Sequence, residues 1–189
     1  MNLFFDRSQL RSCGENVIIG RTVRIKDPHR VSIGNNVIID DYTYISGDVS
    51  IGDYVHIAPG CVLSASSGGI EMQALSGLSA GCKVYGGSSN YMKIGLDMPT
   101  IPQQFQYNVI LEKTILRSFV LVGANCAILP GCDIPQGVSI AAGIVLRKNI
   151  KLKSWHCVVD AQGKQIARRG LAELRSRIRD FYDIEIIND

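Results

Sequence analysis

Histidine is the one side chain whose ordinary pKa lets it take up and return a proton near neutral pH. The 189-residue chain has three: His29, His56 and His156. His29 follows Pro28 in the segment KDPHRVS, which reads as a surface corner. His156 follows Trp155 close to the end of the patterned region, where a packed tail residue is expected. His56 stands immediately before Ile57 in IGDYVHIAPGC. With Ile57 inward on an extended strand, alternation turns His56 outward onto a flat face. The pattern described next places Gly77 or its neighbours one coil above it, and a side chain that small leaves a pocket beside the imidazole. His56 is therefore the candidate general base. A zinc site built on histidines needs three of them converging on one ion. These three lie at unrelated phases, so no metal is expected.

The element that must position His56 is a repeat. From Ile33 to Leu63 an aliphatic residue returns every six positions: Ile33, Ile39, Ile45, Ile51, Ile57 and Leu63. Four residues after each of the first five comes a second small or medium side chain: Val37, Thr43, Val49, Val55 and Cys61. Gly, Asn, Asp, Ser and Pro, the residues of turns, fill the gaps. A period of six suits neither a helix face nor a long alternating strand. It suits a short strand plus a corner, repeated as a solenoid. Met72, Leu78 and Val84 continue the pattern after a three-residue phase break, and Leu116, Val122, Ile128, Ile134, Ile140, Leu146 and Leu152 carry it again.

The organisation expected is a single domain: a cap over residues 1–19, a first solenoid block over 20–85, a loop excursion over 86–113, a second block over 114–153, and a tail over 154–189. The tail is expected to be helical, because Leu171, Leu174, Ile178 and Phe181 form one stripe with Arg168, Arg169, Arg175, Arg177 and Arg179 around it. A helix lying on the prism with a solvated basic face is the favoured reading, and arginines meeting cofactor phosphates the minor one. SASSGG, at 64–69, reads as an outward bulge. A loop as long as 86–113 in a compact domain is usually functional.

With 46% hydrophobic and 20% charged residues the chain is globular, and a net charge of +3 is too mild to argue for nucleic acid. No apolar run approaches the ~20 residues needed to span a bilayer, and the first five residues are too short for a signal-peptide core. A cytoplasmic protein is expected. Of six cysteines, Cys61, Cys82, Cys126 and Cys132 occupy the inward i+4 position, where they act as small core hydrophobes. Cys13 and Cys157 fall outside the repeat, and no CxxC pair is present.

The repeats IGDYVHIAPGC, GGIEMQALSGLSAGCKVY and VLVGANCAILPGCDIPQGVSIAAGIVL resemble those of the hexapeptide-repeat acyltransferases, and most of all the bacterial sugar O-acetyltransferases related to galactoside and maltose acetyltransferases. The resemblance implies an all-β fold, a left-handed parallel β-helix of hexapeptide repeats, here with a long loop excursion and a short C-terminal helix. It implies acetyl-CoA as acyl donor, with no metal, and a homotrimer with active sites between subunits. It places Tyr85, Ser88 and Asn90 against the acceptor, with Asn90 alternatively orienting the base. It places Gly123, Ala124, Ala141, Ala142 and Gly143 along the pantetheine arm, with Arg147 and Lys148 as phosphate partners. Relatives often close the last coil with Gly-Asn-Pro-Ala-Lys beside the cofactor; DAQGKQIARR keeps Lys164 as a cofactor-binding residue and loses the Asn-Pro pair.

The function implied is acetyl-CoA-dependent O-acetylation of a sugar hydroxyl, in surface polysaccharide biosynthesis, by direct attack with a histidine base. Two alternatives stand beside it: N-acetylation of a nucleotide-linked amino sugar, and a non-catalytic solenoid scaffold. Partners are a sugar or nucleotide-sugar and acetyl-CoA, without nucleic acid and without membrane insertion.

Overall fold

A computed structural model describes residues 2–168, 170–179 and 181–187. Each hexad forms a strand of two or three residues and then a corner, and like hexads stack in parallel into three sheets. The first sheet runs from Ser12–Cys13 through Val49–Ile51 and Thr114–Leu116 to Asp133–Ile134. The second contains Ile18–Ile19, Ile38–Ile39, His56–Ile57, Gly77–Leu78, Leu121–Val122, Ser139–Ile140 and His156–Val158. The third runs from Arg24–Ile25 through Lys83–Tyr85 to Val145–Leu146. Where the repeat is regular a coil takes 18 residues, so Ile38 pairs with His56 and Ile39 with Ile57.

The inward positions make the core. Ile39, Ile45, Ile57, Leu63, Leu116, Ile128, Ile134 and Leu146 have no exposed surface. Each such side chain stabilises the fold by about 1.5–3 kcal/mol relative to leaving it in water. The four inward cysteines are buried free thiols. All four donate to carbonyls across the coils: Cys61 to Ser79 (3.3 Å), Cys82 to Gly123 (3.1 Å), Cys126 to Ala141 (3.0 Å) and Cys132 to Leu146 (3.7 Å). Burial pushes the Cys132 thiol up to about 11, as expected of a core hydrophobe.

Three features differ from the sequence expectation. The solenoid starts inside the expected cap, since Ser12–Cys13 and Ile18–Ile19 already pair with the next coil. Cys13 thereby joins the repeat and packs against the core. The excursion is rooted in an antiparallel ribbon, Gly87–Ser89 with Val109–Leu111. The tail begins as sheet: His156–Val158 extends the second sheet and Gln165–Ala167 folds back on it.

Among the described residues only Leu171–Ile178 is α-helix. Ile178 is buried with Phe119 and Trp155, and Leu171 and Leu174 pack against that cluster. Arg168 donates to the Gly137 carbonyl (2.6 Å) and Arg177 to Glu173 (2.8 Å), so these two cations are engaged within the chain. Arg169 lies outside the described residues. Among the described residues no helix is long and apolar enough to cross a membrane.

Candidate active site

His56 projects from the second sheet with its side chain 57% exposed, as alternation requires beside the fully buried Ile57. Its Nε2 lies 2.8 Å from Oδ2 of Asp40. An ionised carboxylate can only accept, so Nε2 carries the ring proton and Nδ1 keeps a lone pair for an incoming proton. Asp40 follows Ile38–Ile39, the strand directly below His56–Ile57, so the coil repeat itself brings the carboxylate within reach.

Gly77 pairs with His56 one coil above. The missing side chain opens a groove of about 450 Å³ across the sheet. Its entry end, at the corner between the first and second sheets, is walled by Tyr54 and Leu75. His56, Ser76 and Gly77 lie midway, Leu121 and Val122 stand above, and Ala58, Ser79 and Ala80 form the exit corner.

The exit corner is lined with main-chain donors. Along it, Ala58, Ser79, Gly123 and Ala141 give their N–H groups to the next coil, and Gly60, Gly81, Asn125 and Gly143 theirs to the corner below. Between them, the N–H groups of Ala80, Ala124 and Ala142 make no hydrogen bond among the described residues. Their column runs from the His56 groove up the solenoid. A Cβ on Gly123 would meet the Ala142 nitrogen at 2.6 Å, so only glycine lets the coils approach this closely there. Free N–H groups fixed by the scaffold suit both an amide-bearing chain laid along the corner and an oxyanion formed in the groove.

The other expected residues are not gathered here. Tyr85 ends a strand of the third sheet, and its carbonyl accepts from Thr114 Oγ1 (2.7 Å). Ser88 lies in the loop ribbon, and Asn90 at its end donates from its main chain to Asn108 (3.1 Å). None of the three lines the groove. Lys148, expected to meet phosphate, is instead held by both oxygens of Glu112 (2.5 and 2.7 Å), which neutralises it. Arg147 and Lys164 are exposed. His29 sits in a 3-10 turn, and the His156 Nδ1 lies 2.8 Å from the Ser154 carbonyl. Sequence reasoning missed Asp40, Tyr54 and Ala80. The signal for Asp40 is its place 16 residues before His56, two short of a full coil.

The bacterial transferase hexapeptide repeat pattern (six repeats) matches residues 30–65. The N-acyltransferase AntD from Bacillus cereus, solved with dTDP and 3-hydroxybutyryl-CoA, is 34% identical over 95% of this chain and 98% of its own, with a TM-score of 0.84. The chain belongs to the hexapeptide-repeat acyltransferases. Its coils are accordingly those of the left-handed parallel β-helix, and its family uses CoA thioesters as acyl donors. The dTDP-4-amino-4,6-dideoxy-D-glucose acyltransferase of Escherichia coli is 26% identical over 183 residues, 92% of this chain and 93% of that enzyme. A maltose O-acetyltransferase from Clostridium difficile 630, 17% identical over 86% of this chain and 71% of its own with a TM-score of 0.55, shares the fold alone.

Proposed function

We propose that the protein transfers an acyl group from acyl-CoA to the amino group of a nucleotide-linked amino sugar. The contact between His56 and Asp40 at the centre of the Gly77 groove carries this reading. N-acylation takes precedence over the expected O-acetylation because the two relatives matched along nearly their full lengths act as an N-acyltransferase and as an acyltransferase of an amino sugar nucleotide. The maltose enzyme is too distant to argue for a hydroxyl acceptor.

The amine nitrogen attacks the thioester carbonyl and a C–N bond forms. Nδ1 of His56 takes the proton that the nitrogen sheds, while Asp40 on Nε2 stabilises the resulting imidazolium. The main-chain N–H of Ala80 receives the tetrahedral oxyanion. Collapse breaks the C–S bond, and His56 returns the proton to the leaving CoA thiolate. No covalent acyl-enzyme is formed: the inward thiols Cys61, Cys82, Cys126 and Cys132 are buried.

The loop leaves from the third sheet whereas His56 sits on the second, and in this reading Tyr85, Ser88 and Asn90 meet the His56 groove of a neighbouring copy. Homotrimer assembly, with the loop of one chain over the groove of the next, satisfies that geometry. Tyr91, Met92 and Ile94 on the loop are 88–94% exposed in the single chain, which suits such burial.

The test measures free thiol release with acetyl-CoA or 3-hydroxybutyryl-CoA against dTDP-4-amino-4,6-dideoxyglucose and, separately, maltose. Turnover with the amino sugar and loss of it in His56→Ala is the expected result. Turnover with maltose alone would restore the O-acetyl reading, and failure to bind any CoA would leave only a scaffold.

A further inference from the structure

The residues that wall the entry end of the groove are backed by the far end of the chain. At that corner one residue per coil adopts a left-handed backbone, which normally falls to Gly or Asn. Asn36 (φ 55°) obeys the rule, but higher up the position is held by Tyr54 (55°), Leu75 (63°), Phe119 (62°) and Trp155 (56°). Side chains this large cost roughly 1–2 kcal/mol each in that conformation, so they form a costly apolar ridge.

The C-terminal segment covers it. Leu171, Leu174 and Ile178 seat against Phe119 and Trp155. Beyond the helix, Gln136 accepts from the Ile187 N–H and donates to the Glu185 carbonyl (both 2.8 Å), and Trp155 Nε1 donates to the Ile187 carbonyl (2.9 Å). At the lower end the Phe181 and Tyr182 rings pack on Tyr54, with centroids 4.9 and 5.2 Å away. The Tyr182 hydroxyl donates to Asp53 Oδ2 at 3.0 Å, and burial together with that carboxylate raises its pKa.

We propose that this segment completes the acceptor site: Phe181 and Tyr182 are positioning residues that hold Tyr54 as a specificity-determining wall against the apolar face of the acceptor's sugar ring. The inference rests on the acceptor being the sugar nucleotide proposed above. Two observations assign this end to the acceptor and not to the acyl donor. The free N–H column leaves the groove at the opposite corner, beside Ala80. Tyr54 stands two residues before His56 and lines the same groove, Tyr54 at the entry end and His56 midway, so a sugar ring held against Tyr54 lies beside the base.

The test compares wild type with Phe181→Ala, Tyr182→Phe and Tyr54→Ala in steady-state kinetics, varying dTDP-4-amino-4,6-dideoxyglucose and acetyl-CoA separately. Trp155, the only tryptophan, reports by its emission whether the segment stays docked. Aromatic pair energies predict acceptor KM raised about 3- to 10-fold in Phe181→Ala, and further in Tyr54→Ala. Acetyl-CoA KM stays within about twofold. Tyr182→Phe, which loses only the Asp53 contact, gives a smaller rise of the same kind. Equal rises in both KM values, a rise for acetyl-CoA alone, or no change overturns the proposal.

Calorimetric titration of the sugar nucleotide without acyl-CoA separates the two readings. Binding by wild type, weakened in Tyr54→Ala but without turnover, refutes N-acylation and keeps the wall. Absence of binding refutes both.

Discussion

Asp40→Ala tests whether the carboxylate works through His56. Both partners are partly solvated, with side chains 57% and 39% exposed, so the pair belongs with surface ion pairs worth about 0.2–1 kcal/mol and not with buried ones. Its consequence for rate is the loss of one ring orientation and tautomer, which at about 1 kcal/mol is roughly fivefold in kcat/KM. Removing the base itself, in His56→Ala, costs about 10²–10⁴-fold. Asp40→Ala is expected to lie near the first figure, and Asp40→Asn, which keeps an oxygen acceptor, to lose less. The double variant Asp40→Ala/His56→Ala should be no slower than His56→Ala alone, because an orienting group has nothing left to orient. Thiol release measured for the four proteins, with thermal unfolding run in parallel, gives the cycle. Equal costs of Asp40→Ala in the presence and absence of His56 would show that the carboxylate acts elsewhere, and the argument from the 2.8 Å contact would fail.

Two further outcomes follow from the same geometry. A Cβ on Gly77 would meet the His56 carbonyl at 3.4 Å and Leu121 Cδ2 at 3.7 Å, both ordinary contacts. Gly77→Leu should therefore fold with a melting temperature near wild type while its side chain fills the groove and abolishes turnover; retained turnover would dissociate the groove from catalysis. Asp48 accepts from Arg30 and Arg11, which hold its carboxyl below the ordinary carboxylate range. A folded-state pKa that is depressed contributes stability above the unfolded value and loses it as pH falls through the folded one. Melting temperatures between about pH 5 and pH 2 should fall less steeply for Asp48→Asn than for wild type, and parallel curves would refute the contribution.

The fold was legible because a six-residue period survives in the side chains themselves: Ile39, Ile57, Leu78, Val122 and Ile140 all carry it and all reach the second-sheet core. The same phase turned His56 outward. It could not supply His56 with neighbours, since a phase names a face and not a distance. Asp40 needed the 18-residue coil, and the loop residues Tyr85, Ser88 and Asn90 lie in or beside an antiparallel ribbon that carries no hexad signal. The Lys148–Glu112 contact was hidden for a related reason. Glu112 lies 36 positions from Lys148 at the foot of the ribbon, and an antiparallel pairing inside the excursion leaves no hexad signal.

The C-terminal stripe shows how far the period could have gone. Leu171, Leu174 and Ile178 were visible as an amphipathic face, but the surface they cover was hidden, because Tyr54, Leu75, Phe119 and Trp155 have no regular spacing in the sequence. The steps between them are 21, 44 and 36 residues. The first is one 18-residue coil lengthened by the three-residue phase break, and the last is two coils, with Gly137 (φ 73°) at the midpoint. The middle step exceeds one coil by 26, the same excess that separates Val84 from Leu116 over a hexad. Once both insertions are subtracted the four residues fall at a single phase, on the corner where a left-handed backbone is obligatory. Large apolar residues recurring at a position that local sterics reserve for Gly and Asn have no use in a bare solenoid; they require something to lie on them, and the tail is the segment that does.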